Sequence, residues 1–308
     1  MEVSEISILM HLNIQLHGNS MNRILLEIKF DSISIKNVNP KEESVDKIPL
    51  NYSILEGSTI KSINPENAAR LKDDLLYSIG KANLMDSTVY LIFPQAMFHT
   101  FSLPAKQGLS RLQQYNEYKF ETKLIFPYLT DDSFSLDVQR LDSPGFSSPD
   151  YELITLIDNS ILTFAAEIKN HLKAPKTKVT IPFLSLRNFI KRYFPEEQSS
   201  VLLHLSGSSI ILSAIKGRAI TSVYSTNFID VPSVPDIIDS FLLNNSAGRI
   251  DKDTLHAVYF SLEDYMIGLT SLVEKWMNVK TKDSFSGFPL GKVSKIPPDL
   301  MQEIRNEA

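Results

Sequence analysis

Leu26–Val38 reads LEIKFDSISIKNV, two runs hinged at Asp31-Ser32. Ile24–Phe30 is β-branched and aliphatic, and Ile33–Val38 alternates apolar with polar residues. A period of two on both sides of a turn predicts a β-hairpin. The device returns at Val201–Ile215, VLLHLSGSSIILSAI. Here strands Val201–Leu205 and Ser209–Ile215 flank Ser206-Gly207-Ser208. Lys216-Gly217 predicts a tight turn, because glycine takes positive φ without a Cβ penalty. Arg218–Tyr224 then reads as a third strand. A meander near the start of each half predicts an internal duplication.

Helical periods alternate with these strands. Asn64-Pro65 opens a helix, with asparagine suited to the cap and proline to the first turn. Ala68, Leu71, Leu75 and Ile79 keep its period until Gly80. Tyr52–Ile63 reads as a short strand with loops, and Asn39–Glu43 as a polar break. Val89–Phe93 is a continuous apolar run, as in a strand covered on both faces. Phe98–Leu103, Ser133–Leu141 and Glu152–Ile157 read as strands, and Leu109–Leu124 and Ser160–Leu172 as helices. Val179–Ile181 begins a strand and Leu184–Tyr193 is helical. Val234–Asn244 predicts a helix, Thr254–Phe260 a strand, Leu262–Met277 a helix and Val279–Lys280 a short strand. Phe285–Pro298 reads as irregular and Asp299–Asn306 as a short helix. The fold class expected is α/β, two-lobed, with duplicated mixed sheets and a small inserted α+β subdomain.

The 308 residues suit about two domains. Hydrophobic residues make up 43% and charged residues 22%, enough apolar material to build a core and too little charge for wholesale disorder. Lys+Arg is 31 against Asp+Glu 36, a net charge of −5, which argues against a nucleic-acid partner gripped through overall charge. With Cys 0, disulfides, thiol nucleophiles and thiolate metal sites are excluded. Glycine, 11 in all, is about half its usual share of about 7%, so glycine-rich phosphate loops are scarce. No stretch reaches the roughly 18 apolar residues that cross a bilayer. The N-terminus, with Glu2, Glu5 and an interrupted run Ile6–Leu12, does not read as a signal peptide. Residues 1–20 are expected to be a poorly ordered extension ahead of a start at Met21, the alternative being an edge strand at Ile6–Leu16.

Several stretches carry a resemblance. Leu26–Val38 resembles the opening strand-turn-strand of the actin-like ATPases, where a phosphate-binding turn lies. Val89–Pro94 (VYLIFP) and His99–Pro104 (HTFSLP) resemble the entry into an inserted subdomain. Gln114–Pro127 (QYNEYKFETKLIFP) resembles its helix, and Phe134–Leu141 (FSLDVQRL) its strand written around a buried aspartate. Val201–Ile215 resembles the second phosphate strand-turn-strand. The chain is thus similar, over residues 22–280, to the PilM family of type IV pilus assembly proteins, near FtsA and the cytoplasmic part of GspL. The organisation this implies is a first lobe over 21–96 and 161–198, an insert over 97–160 and a second lobe over 199–308.

The departures from that pattern matter most. Such ATPases use Asp in each phosphate turn to orient Mg²⁺, with Gly beside it for close backbone approach. Aligned on Ile35-Lys36, Lys29 falls at the first Asp and Asp31 at its Gly. His204 falls at the second Asp and Ser206 at its Gly. Ser261-Leu262 replace the adenosine-contacting Gly-Gly. An ammonium offers only hydrogen-bond donors, and imidazole prefers softer metals than Mg²⁺. The expectation is a fold kept without ATPase activity, with no catalytic residues, no metal and no ATP or Mg²⁺ cofactor. One rescue stays open, direct binding of phosphate oxygens by Lys29 and Lys36.

Other motifs read as ordinary structure. His11, His17, His99, His171, His204 and His256 are scattered without ligand spacing. Asp73-Asp74 reads as a solvated helix face and Asp131-Asp132 as loop chemistry. Ser206-Gly207-Ser208 lacks the frame and context of a nucleophile turn. Lys169–Lys178 is a basic helix end, and Tyr265 and Trp276 read as core. The insert is rich in aromatics, and of these Phe98, Phe101, Tyr115 and Tyr118 are the ones expected to face a partner.

The resemblance implies a non-catalytic cytoplasmic scaffold of a type IV pilus or type II secretion-like inner-membrane complex. Such proteins hold the cytoplasmic tail of a single-span partner in a groove between first lobe and insert. Contact with the membrane would then be indirect, and a homodimer is compatible with the role. The alternative is an active actin-like ATPase with displaced catalytic residues. A filament-forming FtsA-like protein is a third reading, for which Pro298–Ala308 is too short and polar a membrane helix.

Overall fold

The computed structural model describes residues 23–29, 32–39, 42–56, 62–79, 87–141, 150–174, 176–181, 198–206, 209–227, 230–244, 257–262 and 295–296, with isolated positions between 183 and 196 and at 250, 255, 269 and 272. The expectations for residues 1–20, Tyr265, Trp276, Val279–Lys280 and Asp299–Asn306 lie outside these.

The first sheet begins with strand β1 (Arg23–Ile28), paired antiparallel with β2 (Ser32–Asn39) in the register Leu26↔Ile35. The Lys29 N–H donates to the Ser32 carbonyl at 2.8 Å, so the hairpin closes where the alternation breaks. Strand β3 (Glu42–Pro49) continues antiparallel beside β2. It was missed in the sequence, where Asn39–Glu43 reads as a break. EESVDKIP is charged and carries proline, a composition suited to the edge position that β3 takes. A two-residue pair, β4 (Leu55–Glu56) and β5 (Ser62–Ile63), leads into helix α1 (Pro65–Ile79). Asn64 caps it as expected, its Oδ1 accepting from the Asn67 N–H at 3.1 Å.

Strand β6 (Thr88–Ile92) lies parallel to β1. The chain then leaves the sheet and builds the insert. Strand β7 (Phe98–Pro104), helix α2 (Arg111–Ile125), and strands β8 (Phe134–Arg140) and β9 (Tyr151–Asp158) form a three-stranded antiparallel sheet, ordered β7-β9-β8, with one helix. A capping box fixes the start of α2: the Gln113 N–H donates to Ser110 Oγ and the Gln113 side chain accepts from the Ser110 N–H. Helix α3 (Asn159–His171) returns the chain to the first sheet, where β10 (Lys176–Thr180) adds parallel to β6.

The second sheet repeats the first. Strands β11 (Ser199–Ser206), β12 (Ser209–Lys216) and β13 (Ala219–Asn227) form the meander read in the sequence. Helix α4 (Val234–Asn244) follows, and β14 (Ala257–Leu262) and β15 (Lys295–Ile296) add parallel to β11. The orders are β3-β2-β1-β6-β10 and β13-β12-β11-β14-β15, two copies of one topology.

One core joins the lobes. Leu26, Leu71 and Phe164 of the first lobe share it with Leu202, Ile211 and Val223 of the second. Phe93 sits at its centre, edge-on to Phe98 at 6.4 Å and to Phe164 at 6.1 Å. Truncating such a buried ring costs about 3–5 kcal/mol. The insert has a core of its own around Phe101, Tyr118, Phe134 and Ile154. The opposite face of the second sheet, through Leu203, Leu205 and Leu212, is covered by α4 through Ile238 and Phe241. Among the described residues, no helix is long and apolar enough to cross a membrane.

Candidate functional site

Two places merit attention: the ends of the duplicated hairpins, and a groove beside the insert. At the first hairpin Lys29 is about half exposed, and its ammonium pairs with the Glu27 carboxylate at 3.3 Å. Lys29 directly follows β1, two positions after Glu27, so the extended chain brings the two side chains to one face. Asp31 lies outside the described residues. Lys36 stands opposite Leu25 on β2.

At the second hairpin the ladder runs to the pair Ser206↔Ser209, leaving two residues for the turn. Counted from the turn, Ser206 takes the place of Lys29, and His204 the place of Glu27. The sequence alignment matched His204 with Lys29; the structure sets them one pleat out of step, because β11 extends through Ser206. His204 is 1% exposed, opposite Ile211 on one side and Ser261 on the other, and Leu262 stands opposite Leu205. The topology thus gathers His204, Ser206, Ser261 and Leu262 at one end of the second sheet.

The described side chains, Lys29, Glu27 and His204, do not fit a hydrated Mg²⁺ ion. Such an ion takes oxygen ligands from carboxylates and water. Among the described residues of the first hairpin end, the carboxylate is that of Glu27, and it is engaged by an ammonium that can only donate. At the second an imidazole is enclosed in the ladder. Among the described residues, no three His, Cys, Asp or Glu side chains come together as a metal centre.

The second place is a groove of about 620 Å³ between the insert and the second lobe. Its floor is a seam of two sheet edges. Strand β7 is the edge of the insert sheet and β13 the edge of the second sheet. They meet through hydroxyls. Ser102 Oγ accepts from the Val223 N–H at 3.1 Å and donates to the Val223 carbonyl at 3.2 Å. The Thr100 N–H donates to Ser225 Oγ at 2.8 Å. Phe126 at the end of α2 and Phe241 on α4 line the groove as well. Phe126 lies 5.0 Å from the His99 ring and 6.1 Å from Phe101. Tyr224, opposite Leu212 in the register, is 47% exposed.

The insert aromatics separate accordingly. Phe98 belongs to the core shared by the lobes, and Tyr118 is 0% exposed in the core of the insert, so neither offers a surface to a partner. The Tyr118 hydroxyl accepts from the Lys106 N–H at 3.0 Å. Burial, with the Glu152 carboxylate, raises the pKa of that phenol above its ordinary value. Tyr115 packs against the same core, and its hydroxyl accepts from the Leu136 N–H at 3.3 Å. Phe101 is buried and lines the groove. Sequence reading missed Tyr224, Phe241 and Ser102. They belong to three elements, and no spacing along the chain joins them.

Asp137, expected to be buried, is half-buried on β8, and its Oδ2 accepts from Gln139 Nε2 at 2.7 Å. Gln139 Oε1 in turn accepts from Arg187 Nη1 at 3.1 Å, which ties the insert to the first lobe. Phe98, Leu153 and Ile157 of the insert fill the seam with the first lobe from within. The groove described here therefore differs in place from the one implied between insert and first lobe.

No protein-family model and no curated protein sequence matches the chain. Solved structures do. A Bacteroides thetaiotaomicron protein with actin-like ATPase fold and unknown function aligns with a TM-score of 0.51 at 10% identity, covering 84% of this chain and 89% of its own. The PilM–PilN type IV pilus biogenesis complex aligns with a TM-score of 0.54 at 10% identity, covering 85% and 88%. At such identity these similarities establish the fold, and that fold is the actin-like ATPase fold.

Proposed function

We propose that this chain is a non-catalytic scaffold. It holds the tail of a membrane-anchored partner on the cytoplasmic side of a pilus or secretion-like inner-membrane assembly. The observation that carries this reading is the Lys29–Glu27 pair at the first hairpin end, where the fold otherwise presents carboxylate to a metal–nucleotide complex. His204, sealed in the second ladder, supports it. The similarity in fold to the PilM–PilN complex supports the choice of a protein partner over a nucleotide.

Calorimetric titration with ATP, with and without Mg²⁺, tests the catalytic half of the proposal. No heat of binding in either buffer is the expected result. Tight Mg²⁺-dependent binding with turnover ends the reading. The partner half is tested with synthetic peptides matching the cytoplasmic tails of single-span proteins encoded beside this gene. Retention of one of them by the immobilised chain is expected, and retention of none counts against a scaffold.

A further inference from the structure

We infer that the groove over the β7–β13 seam is a docking site for an extended, uncharged, apolar segment of a partner protein. This rests on the protein-binding reading above and names the site and the chemistry of the ligand.

The floor gives the shape. Ser222, Tyr224 and Thr226 of β13 project to the same face of the second sheet as Leu212, which α4 covers. Beyond β13 the surface passes onto β7 at Phe101 and is closed by Phe126. The groove is thus bounded by helix ends on two sides and runs along the strands. Six residues of β13 line it, Ser222 to Asn227, a span of about 20 Å at about 3.3 Å per residue. A segment of about five or six extended residues matches that length.

The lining gives the chemistry. Among the described residues, it contains no Lys, Arg, Asp or Glu. Against the described residues a phosphate, a nucleotide or an acidic tail meets no lysine or arginine to offset its desolvation. Apolar walls alternate with hydroxyls and amides, Thr226, Ser240, Asn227 and Asn244 among them. Groups that both donate and accept satisfy a polypeptide main chain, which presents N–H and C=O in turn. The volume of about 620 Å³ lies within the roughly 300–1,000 Å³ of sites that bury a ligand. The backbone edge of β13 is engaged at Val223 by Ser102, so recognition comes from side chains seated against the apolar lining and not from strand addition at that position.

The test is panning of a phage-displayed random dodecapeptide library on the full chain, followed by affinities of the enriched synthetic peptides. Enriched peptides should share a core of about five or six residues that is apolar and free of charge. Tyr224→Arg and Ser240→Arg place a cation on the floor and on the α4 side of the groove; both positions are exposed, so the fold tolerates them. Each should weaken binding at least tenfold, while Leu243→Arg, at an 86%-exposed position outside the lining, leaves it unchanged. Peptides that bind Tyr224→Arg and Ser240→Arg as tightly as wild type overturn the groove and leave the scaffold reading standing. Enrichment of charged cores overturns the chemistry. No enrichment at all overturns both the groove and peptide binding as a function. Two further results also overturn the occupant: binding that appears only after deletion of residues 1–20, which makes the occupant this chain's own segment, and a concentration-dependent dimer abolished by Tyr224→Arg, which makes it a second copy.

Discussion

The Ser102 hydroxyl grips the main chain of Val223 at both its N–H and its carbonyl. One side chain of the insert thereby closes the edge of a sheet in the other lobe. Val223 itself is buried in the core shared by the lobes, so the bond sits where water does not compete freely. Ser102→Ala removes both contacts and leaves a buried N–H and C=O without their partner. The expected loss is about 1–3 kcal/mol, read as a lower urea midpoint at constant slope. Amide exchange at Val223 should quicken in the same variant. Unchanged exchange there means the seam is not held by this hydroxyl.

Gly217 has φ +61°, and a Cβ built on it collides with the Glu196 carbonyl oxygen. Its N–H also donates to the Gln198 carbonyl at 2.8 Å. Both the left-handed backbone and the close approach require glycine, as the sequence Lys216-Gly217 indicates. Gly217→Ala should lose at least about 1–2 kcal/mol, seen in thermal or urea unfolding. A variant as stable as the parent would refute the turn geometry.

Tyr118 keeps its proton in the folded chain at pH values where an unfolded tyrosine, with a pKa of about 10, gives it up. The sign follows from proton binding. Below about pH 10 both states are protonated and the stabilisation is intact; above it the unfolded state loses the proton first, and stability falls as pH rises. Tyr52 acts in the same direction, raised by burial and by its bond to Asp74 Oδ2 at 2.6 Å. Urea midpoints measured from pH 8 to pH 11 should decline in the parent, and more gently in Tyr118→Phe and Tyr52→Phe together. Parallel profiles would show that neither phenol is coupled to folding.

His204→Asp places a carboxylate at a position 1% exposed within a strand ladder. The cost of an uncompensated buried charge is about 3–5 kcal/mol, so the variant should unfold earlier and earlier still as pH rises above the carboxyl range. It should gain no Mg²⁺-dependent ATP binding. Calorimetry on this variant with Lys29→Asp added checks the point, and a restored nucleotide site would mean that only side chains separate this chain from an ATPase.

The hairpins were legible because alternation and turn residues are local. LEIKFDSISIKNV and VLLHLSGSSIILSAI carry their pairing within fifteen residues, and the paired strands follow from it. The helix at Asn64-Pro65 was legible for the same reason. Strand β3 was not, because an edge strand tolerates the charge and proline that also write a loop. The offset between His204 and Lys29 was hidden because turn length is set by ladder geometry, and Ser206 serves a strand as well as a turn. Of the four aromatics expected to face a partner, Phe101 alone lines the groove, and the rest of its lining lay beyond the sequence. Phe126, Tyr224 and Phe241 come together only when two sheet edges and two helices are placed.

Strand β10 docks against β6, although the whole insert is translated between Ile92 and Lys176. On the ribosome the first sheet therefore waits with β6 as an open flank for roughly 4–17 s at about 5–20 residues per second. The insert, having its own hydrophobic nucleus, can fold during that interval. Its completion brings the ends of β7 and β9 together and so returns the nascent chain toward the flank that β10 must fill. Slow-codon placement downstream of residue 158 would then favour correct assembly, and faster elongation there would leave β6 available to strands of other chains.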